Sequence, residues 1–128
     1  MALRYTAERD GDVLFVSVTG SDEGIHEVRQ YVLDIIKTAF DKGVQRILCD
    51  ETAIATRLDT LETFEIGTFI AKQLPPSFRI AILYDPASLF DFRFFESIVV
   101  NRGIQMRIFT DQGAAKNWLA EGENPNMP

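Results

Sequence analysis

At 128 residues the chain has the length of one ordinary domain, enough to bury roughly two-thirds of the surface its unfolded form exposes. Its 19 acidic residues outnumber 13 basic ones, which are scattered singly, so the basic face that phosphate neutralisation demands of a nucleic-acid binder is missing. The single cysteine, Cys49, excludes an internal disulfide and a multi-thiolate metal site, and no apolar run is long enough to span a bilayer. Residues 1–20 lack the charged-then-apolar pattern of a signal peptide, so we expect a cytoplasmic chain.

Two strand-like runs, 3–9 and 13–18, flank Asp10-Gly11, which predicts an antiparallel hairpin closed by a type I′ turn. From Ser21 the period changes. Ile25, Val28, Val32, Ile35, Ile36, Ala39 and Phe40 recur at three- and four-residue steps, the stripe of an amphipathic helix over about 21–40, with Gly43 placed to end it. Three short apolar segments follow at 46–50, 78–84 and 104–109, suited to inner strands of a parallel sheet covered on both faces. Helices are predicted between them near 59–73 and 87–102, and a last one over 112–121. Pro75-Pro76 breaks the second helix and Gly103 ends the third. Asp85-Pro86 reads as the start of the third, with Pro86 in the first helical position. The expected architecture is α/β, ordered ββαβαβαβα, with a five-stranded mixed sheet and four helices over 1–121, followed by a disordered tail over 122–128.

That order resembles the STAS domains, the SpoIIAA-like fold of anti-sigma-factor antagonists. The sharpest likeness is in the C-terminal third: Arg79-Ile-Ala-Ile-Leu, Phe95-Glu-Ser-Ile, Asn101-Arg-Gly-Ile, Met106-Arg-Ile-Phe-Thr-Asp and Ala115-Lys-Asn-Trp-Leu119. This succession is similar to an uncharacterised bacterial branch of SpoIIAA-like proteins. In phosphorylatable STAS proteins an Asp-Ser pair opens the second helix, and its serine is phosphorylated by a partner kinase. The resemblance places Asp59-Thr60 there, with Glu62 beside it. A helix N-terminus favours phosphate through its unpaired N–H groups and macrodipole. The chain departs from the family pattern in two ways: threonine replaces serine, and Leu61-Glu62 stands where a glycine follows. The competing reading is a capping box, in which Asp59 and Glu62 satisfy each other's backbone donors.

Asp50, Asp85 and Asp111 each end a predicted parallel strand, at the sheet edge where α/β proteins place ligands. Three such carboxylates could hold Mg²⁺ as in phospho-receiver domains, but there is no acidic pair after the first strand, and Thr110-Asp111 stands where a receiver has lysine. Helix capping by each accounts for them, and we expect no metal and no cofactor. His26, the only histidine, has no nucleophile or orienting group beside it in sequence, and Cys49 ends an apolar strand as a buried inert thiol. We expect no catalytic site.

The remaining signal is an excess of apolar residues at 89–100. Phe92, Phe95, Ile98 and Val99 share one face about 120° wide, enough for a core stripe. Phe90 and Phe94 form a second stripe outside it, and on the second helix Leu61 and Phe64 point away from Ile66, Phe69 and Ile70. Either the second and third helices pack on each other, or these residues meet something else. The sequence thus suggests a non-catalytic regulatory module that binds a protein partner around Asp59, Thr60 and Glu62. The alternative is a binder of a hydrophobic small molecule or a membrane surface, through an apolar pocket beneath helices two and three involving Leu61, Phe64, Phe90 and Phe94. A homodimer through the same residues is a further candidate.

Overall fold

The computed structural model describes residues 2–21, 24–55 and 58–121, so the tail at 122–128 lies outside the described residues. The chain runs β1 (Arg4–Asp10), β2 (Val13–Ser21), α1 (Ile25–Lys42), β3 (Arg46–Ala55), α2 (Thr60–Gln73), β4 (Arg79–Leu83), α3 (Phe92–Val100), β5 (Gln105–Phe109) and α4 (Gln112–Glu121). The strands lie in sequence order, with β1 antiparallel to β2 and each later pair parallel. The expected α/β order, mixed sheet and four helices are therefore present.

Three parallel crossovers step the same way across the sheet, and right-handedness then puts all three connecting helices on one face. Side-chain alternation shows this directly. Ile47, Cys49, Ile80 and Ile82 point into a core shared with α1, α2 and α3, while Leu48, Ala81 and Leu83 point the other way, onto Ala115 and Leu119 of α4. Because β3 and β4 are covered on both faces, their sequences read as unbroken apolar runs. Arg79 fastens α4 to the sheet: its guanidinium lies 3.9 Å from the centroid of the Trp118 ring and donates to the Trp118 carbonyl.

Local chemistry moved several boundaries. Asp10 pairs with Val13, so the hairpin loop is Gly11-Asp12. Gly11 has φ +61° and Asp12 is not left-handed, which is the pattern of a II′ turn rather than the expected I′. Ser21 closes β2 instead of opening a helix, and α1 begins at Ile25. Gly43, left-handed at φ +67°, ends α1 where expected, its N–H donating to the Phe40 carbonyl while Val44 N–H reaches Ala39. Tyr31 takes a place in the buried stripe, whereas Phe40 is exposed near the helix end.

The third helix starts five residues later than expected, at Phe92 instead of residue 87. Asp85 is not its cap: its side chain accepts from Ala87 N–H at 2.9 Å and its carbonyl from Ser88 N–H at 2.8 Å, closing a turn around Pro86. Asp91 is the true N-cap, accepting from Phe94 N–H at 2.9 Å. Phe90 therefore precedes the helix, and Phe90 and Phe94 do not form one helical stripe.

Candidate functional site

The start of α2 is built by a capping box. The Asp59 carboxylate accepts from Glu62 N–H at 2.8 Å, and Glu62 reaches back to Asp59 N–H at 3.2 Å. Thr63, in the same turn, is buried and donates to the Asp59 carbonyl at 2.7 Å. Thr60 points outward and is exposed. Beside it Leu61 and Phe64, three residues apart and so neighbours on the helix surface, are 66% and 42% exposed. The Arg102 guanidinium lies 5.2 Å from the centroid of the Phe64 ring. The sequence-predicted residues Asp59, Thr60, Leu61, Glu62 and Phe64 thus share one short stretch of surface. The inward side of α2 packs on α3, where Gly67 meets Ile98.

The strand-end carboxylates do not converge: among the described residues no three acidic, histidine or cysteine side chains are placed to share a metal ion. Asp111 caps α4 through Ala114 N–H at 2.8 Å, as expected. Asp85 and Asp50 cap no helix. Asp50 accepts from the backbone N–H and hydroxyl of Thr52, at 3.1 and 2.6 Å, within β3. His26 is exposed in the first turn of α1.

A second locality was foreshadowed in the sequence through Phe90 alone. A cavity of about 90 Å³ lies between α1, α2 and the helix-bearing face of the sheet, walled by Ile35, Ile66, Ile82, Phe90 and Phe95 among others. Of the four residues expected around an apolar pocket, only Phe90 lines it, while Leu61, Phe64 and Phe94 do not. The pocket therefore lies beneath α1, α2 and the first turns of α3, whose Phe95 lines it, while Ile98 fills the space where α2 and α3 meet. Its lining is apolar apart from Tyr31, Cys49 and Glu51. The Tyr31 hydroxyl donates to Glu51 Oε2 at 3.2 Å, and the Tyr5 ring packs edge-on against Tyr31 while its own hydroxyl donates to Asp34.

Burial dominates the electrostatics here. It pushes the Glu51 carboxyl up to about 7, against the Tyr31 hydrogen bond, which favours the charged form, and with help from the Asp50 charge. Burial also raises the Tyr31 hydroxyl and the Cys49 thiol, both facing the Glu51 charge. Cys49 is thus held as a thiol, far from nucleophilic. Tyr31 and Glu51 escaped the sequence reading because Tyr31 passes for a helix residue between two apolar ones, and Glu51 lay beyond the predicted end of its strand.

No protein-family model and no curated protein matches the sequence. Solved structures do match. An anti-sigma factor antagonist from Mycobacterium paratuberculosis aligns with a TM-score of 0.64 at 12% identity, over 93% of this chain and 95% of that one. The phosphorylated form of the Bacillus cell-fate determinant SpoIIAA aligns with a TM-score of 0.54 at 18% identity, over 90% and 99%. An uncharacterised protein with a SpoIIAA-like fold from Shewanella loihica PV-4 aligns with a TM-score of 0.51 at 19% identity, over 91% and 93%. The fold is SpoIIAA-like, as the C-terminal phrases imply.

Proposed function

We propose that this chain is a non-catalytic regulatory module that docks a protein partner over the start of α2. The observation that carries this reading is the pair Leu61 and Phe64, left 66% and 42% exposed next to the exposed Thr60 while Ile66 and Ile70 of the same helix are buried. Adjacent exposed apolar side chains rimmed by polar ones are the usual mark of a contact surface. Here Asp59 and Glu62 supply an acidic rim and Arg102 a basic one. The fold comparison supports the same reading, since its matches include an anti-sigma factor antagonist and a phosphorylated SpoIIAA. In this reading Thr60 is the phosphate acceptor, and its modification switches docking by adding about two negative charges beside Asp59 and Glu62.

A photo-crosslinking residue at position 61, in cells that express the protein, tests the surface. We expect one protein captured from position 61, lost in Phe64→Asp and not captured from position 117 on α4. Capture of a second copy of this chain, of lipid only, or of nothing sinks the reading in favour of a homodimer, a membrane surface or no docking there. Thr60 is tested separately, by mass mapping of phosphate on the protein recovered from those cells and its absence in Thr60→Ala.

A further inference from the structure

A bulge in β3 sets up a second site. Ile47 and Cys49 alternate regularly toward the helices. Then Ser17 of β2 pairs with Asp50 and Thr19 with Ala53, so that Glu51 and Thr52 together stand opposite Val18 alone. The extra residue reverses the alternation: Glu51 stays on the cavity side, and Ile54 rather than Ala53 joins it there. Asp50 holds the kink through its two hydrogen bonds to Thr52. Bulges of this kind re-aim a side chain and are concentrated beside binding sites.

The bulge thus brings Ile54 beside Glu51, whose carboxylate stands at the end of an apolar cavity of about 90 Å³. That volume is several times the roughly 10–15 Å³ one water needs, and an apolar cavity of about 150 Å³ takes up benzene. Tyr31 satisfies Glu51 Oε2, while Oε1 has no hydrogen-bond partner among the described residues. That oxygen is not closed off from solvent, and a ligand hydroxyl could take the place of water on it. Leu3, Glu51, Ile54 and Leu58, which line the same cavity, are all only partly buried.

We propose that this cavity binds a small, neutral, mainly apolar molecule bearing one hydroxyl group. Its body lies among Ile35, Ile66, Ile82 and Phe90, and its hydroxyl meets Glu51 Oε1. Charge selects the class. A fatty-acid carboxylate would be repelled by Glu51, and an ammonium group would have to shed its water in an apolar enclosure. A hydroxyl also suits a carboxyl that changes protonation, because it both donates and accepts.

Phenol and toluene, alike in shape and differing in the hydroxyl, are the probes, titrated into the full chain at pH 8 and followed by backbone amide NMR shifts. We expect phenol to saturate at one molecule per chain, shifting Tyr31, Glu51 and Ile66, and to bind about tenfold tighter than toluene, the preference one hydrogen bond to a charged group supplies. Glu51→Leu should abolish the preference but retain toluene binding, and hexanoate should not compete. Ile66→Phe should fill the cavity and abolish binding of both. If that variant melts early, Ile82→Phe at the opposite wall serves the same purpose. Equal affinity for toluene and phenol, shifts confined to the surface, or no saturation overturns the assignment. None of these outcomes touches Leu61 or Phe64, so failure here leaves the docking surface standing and the reverse holds equally.

Discussion

Ile98 of α3 fills the space a side chain on Gly67 of α2 would need: a Cβ there would sit 2.7 Å from Ile98 Cγ2 and 3.1 Å from its Cβ. Both atoms belong to the branched, stiff base of the isoleucine and cannot swing aside without moving α3. Gly67→Ala should therefore destabilise by about 1–3 kcal/mol, despite the nearly 1 kcal/mol that alanine gains over glycine in a helix. The check is chemical denaturation of Gly67→Ala, Ile98→Ala and the double variant. The pair should be less destabilised than the sum of its parts, because Ile98→Ala vacates the space the new methyl enters. Strict additivity would mean that the two helices are not held by this contact.

Much of this architecture was legible from periodicity and punctuation. The switch from a two-residue to a 3.6-residue period, Gly43, Pro75-Pro76 and the 112–121 pattern all name local events that the chain decides by itself. What was not legible depends on partners distant in sequence. The β3 bulge comes from pairing with β2, and nothing in Asp50-Glu51-Thr52 distinguishes it from a turn. Asp85-Pro86 is a sound helix start by local rules, but Asp91, six residues on, caps better because Phe92 and Phe95 then reach the core. The capping box at Asp59 and Glu62 was visible because all its parts lie within four residues. The position of the cavity was not, because its lining is drawn from six strands and helices whose packing only the whole fold determines.

The Asp59 cap gives a prediction that separates structural and docking roles. Asp59→Ala loses the acceptor for Glu62 N–H and should cost about 1 kcal/mol of stability. Asp59→Ser keeps an acceptor and should recover most of that loss. If α2 carries a docking surface, Asp59→Ser should still weaken partner binding, since the hydroxyl restores the cap but not the acidic rim. Equal binding by Asp59→Ser and the parent would confine Asp59 to capping.

Glu51 gives a pH dependence whose sign is opposite to that of a salt-bridged carboxylate. Its ordinary value is 4.5 and burial raises it to about 7, so between these values the folded chain holds a proton that the unfolded chain has released. Stability from this group is therefore greatest at the acid end, falls as pH rises from about 4.5 to 7, and is flat above. The shift corresponds to at most roughly 3 kcal/mol, and about 2 after allowing for the partial exposure of the side chain. Glu51→Gln should remove this component, so the difference between parent and variant should open over that window, with the variant more stable at pH 8. Urea denaturation at half-unit pH steps measures it. A constant difference between the two proteins would show that Glu51 titrates in its ordinary range.

The last prediction contrasts two sets of aromatic and aliphatic side chains. Phe95 is 6% exposed, stacks edge-on against Phe90 and lines the cavity, so Phe95→Ala should cost about 3–5 kcal/mol. Leu61 and Phe64 lie on the outer face of α2 at 66% and 42% exposure, where substitutions usually change stability by no more than about 0.5 kcal/mol. The Phe64 contact with Arg102 adds to this no more than about 1 kcal/mol, the size of an exposed cation–π pair. Leu61→Ser with Phe64→Ser should therefore melt close to the parent, and the more soluble of the two should be the double variant. Near-parent stability of this variant, joined to loss of crosslinking from position 61 when Phe64→Ser alone is introduced, is the outcome that a docking surface requires. Destabilisation comparable to Phe95→Ala would mean that these residues belong to the packing of α2 on α3, and the proposed surface would have to be abandoned.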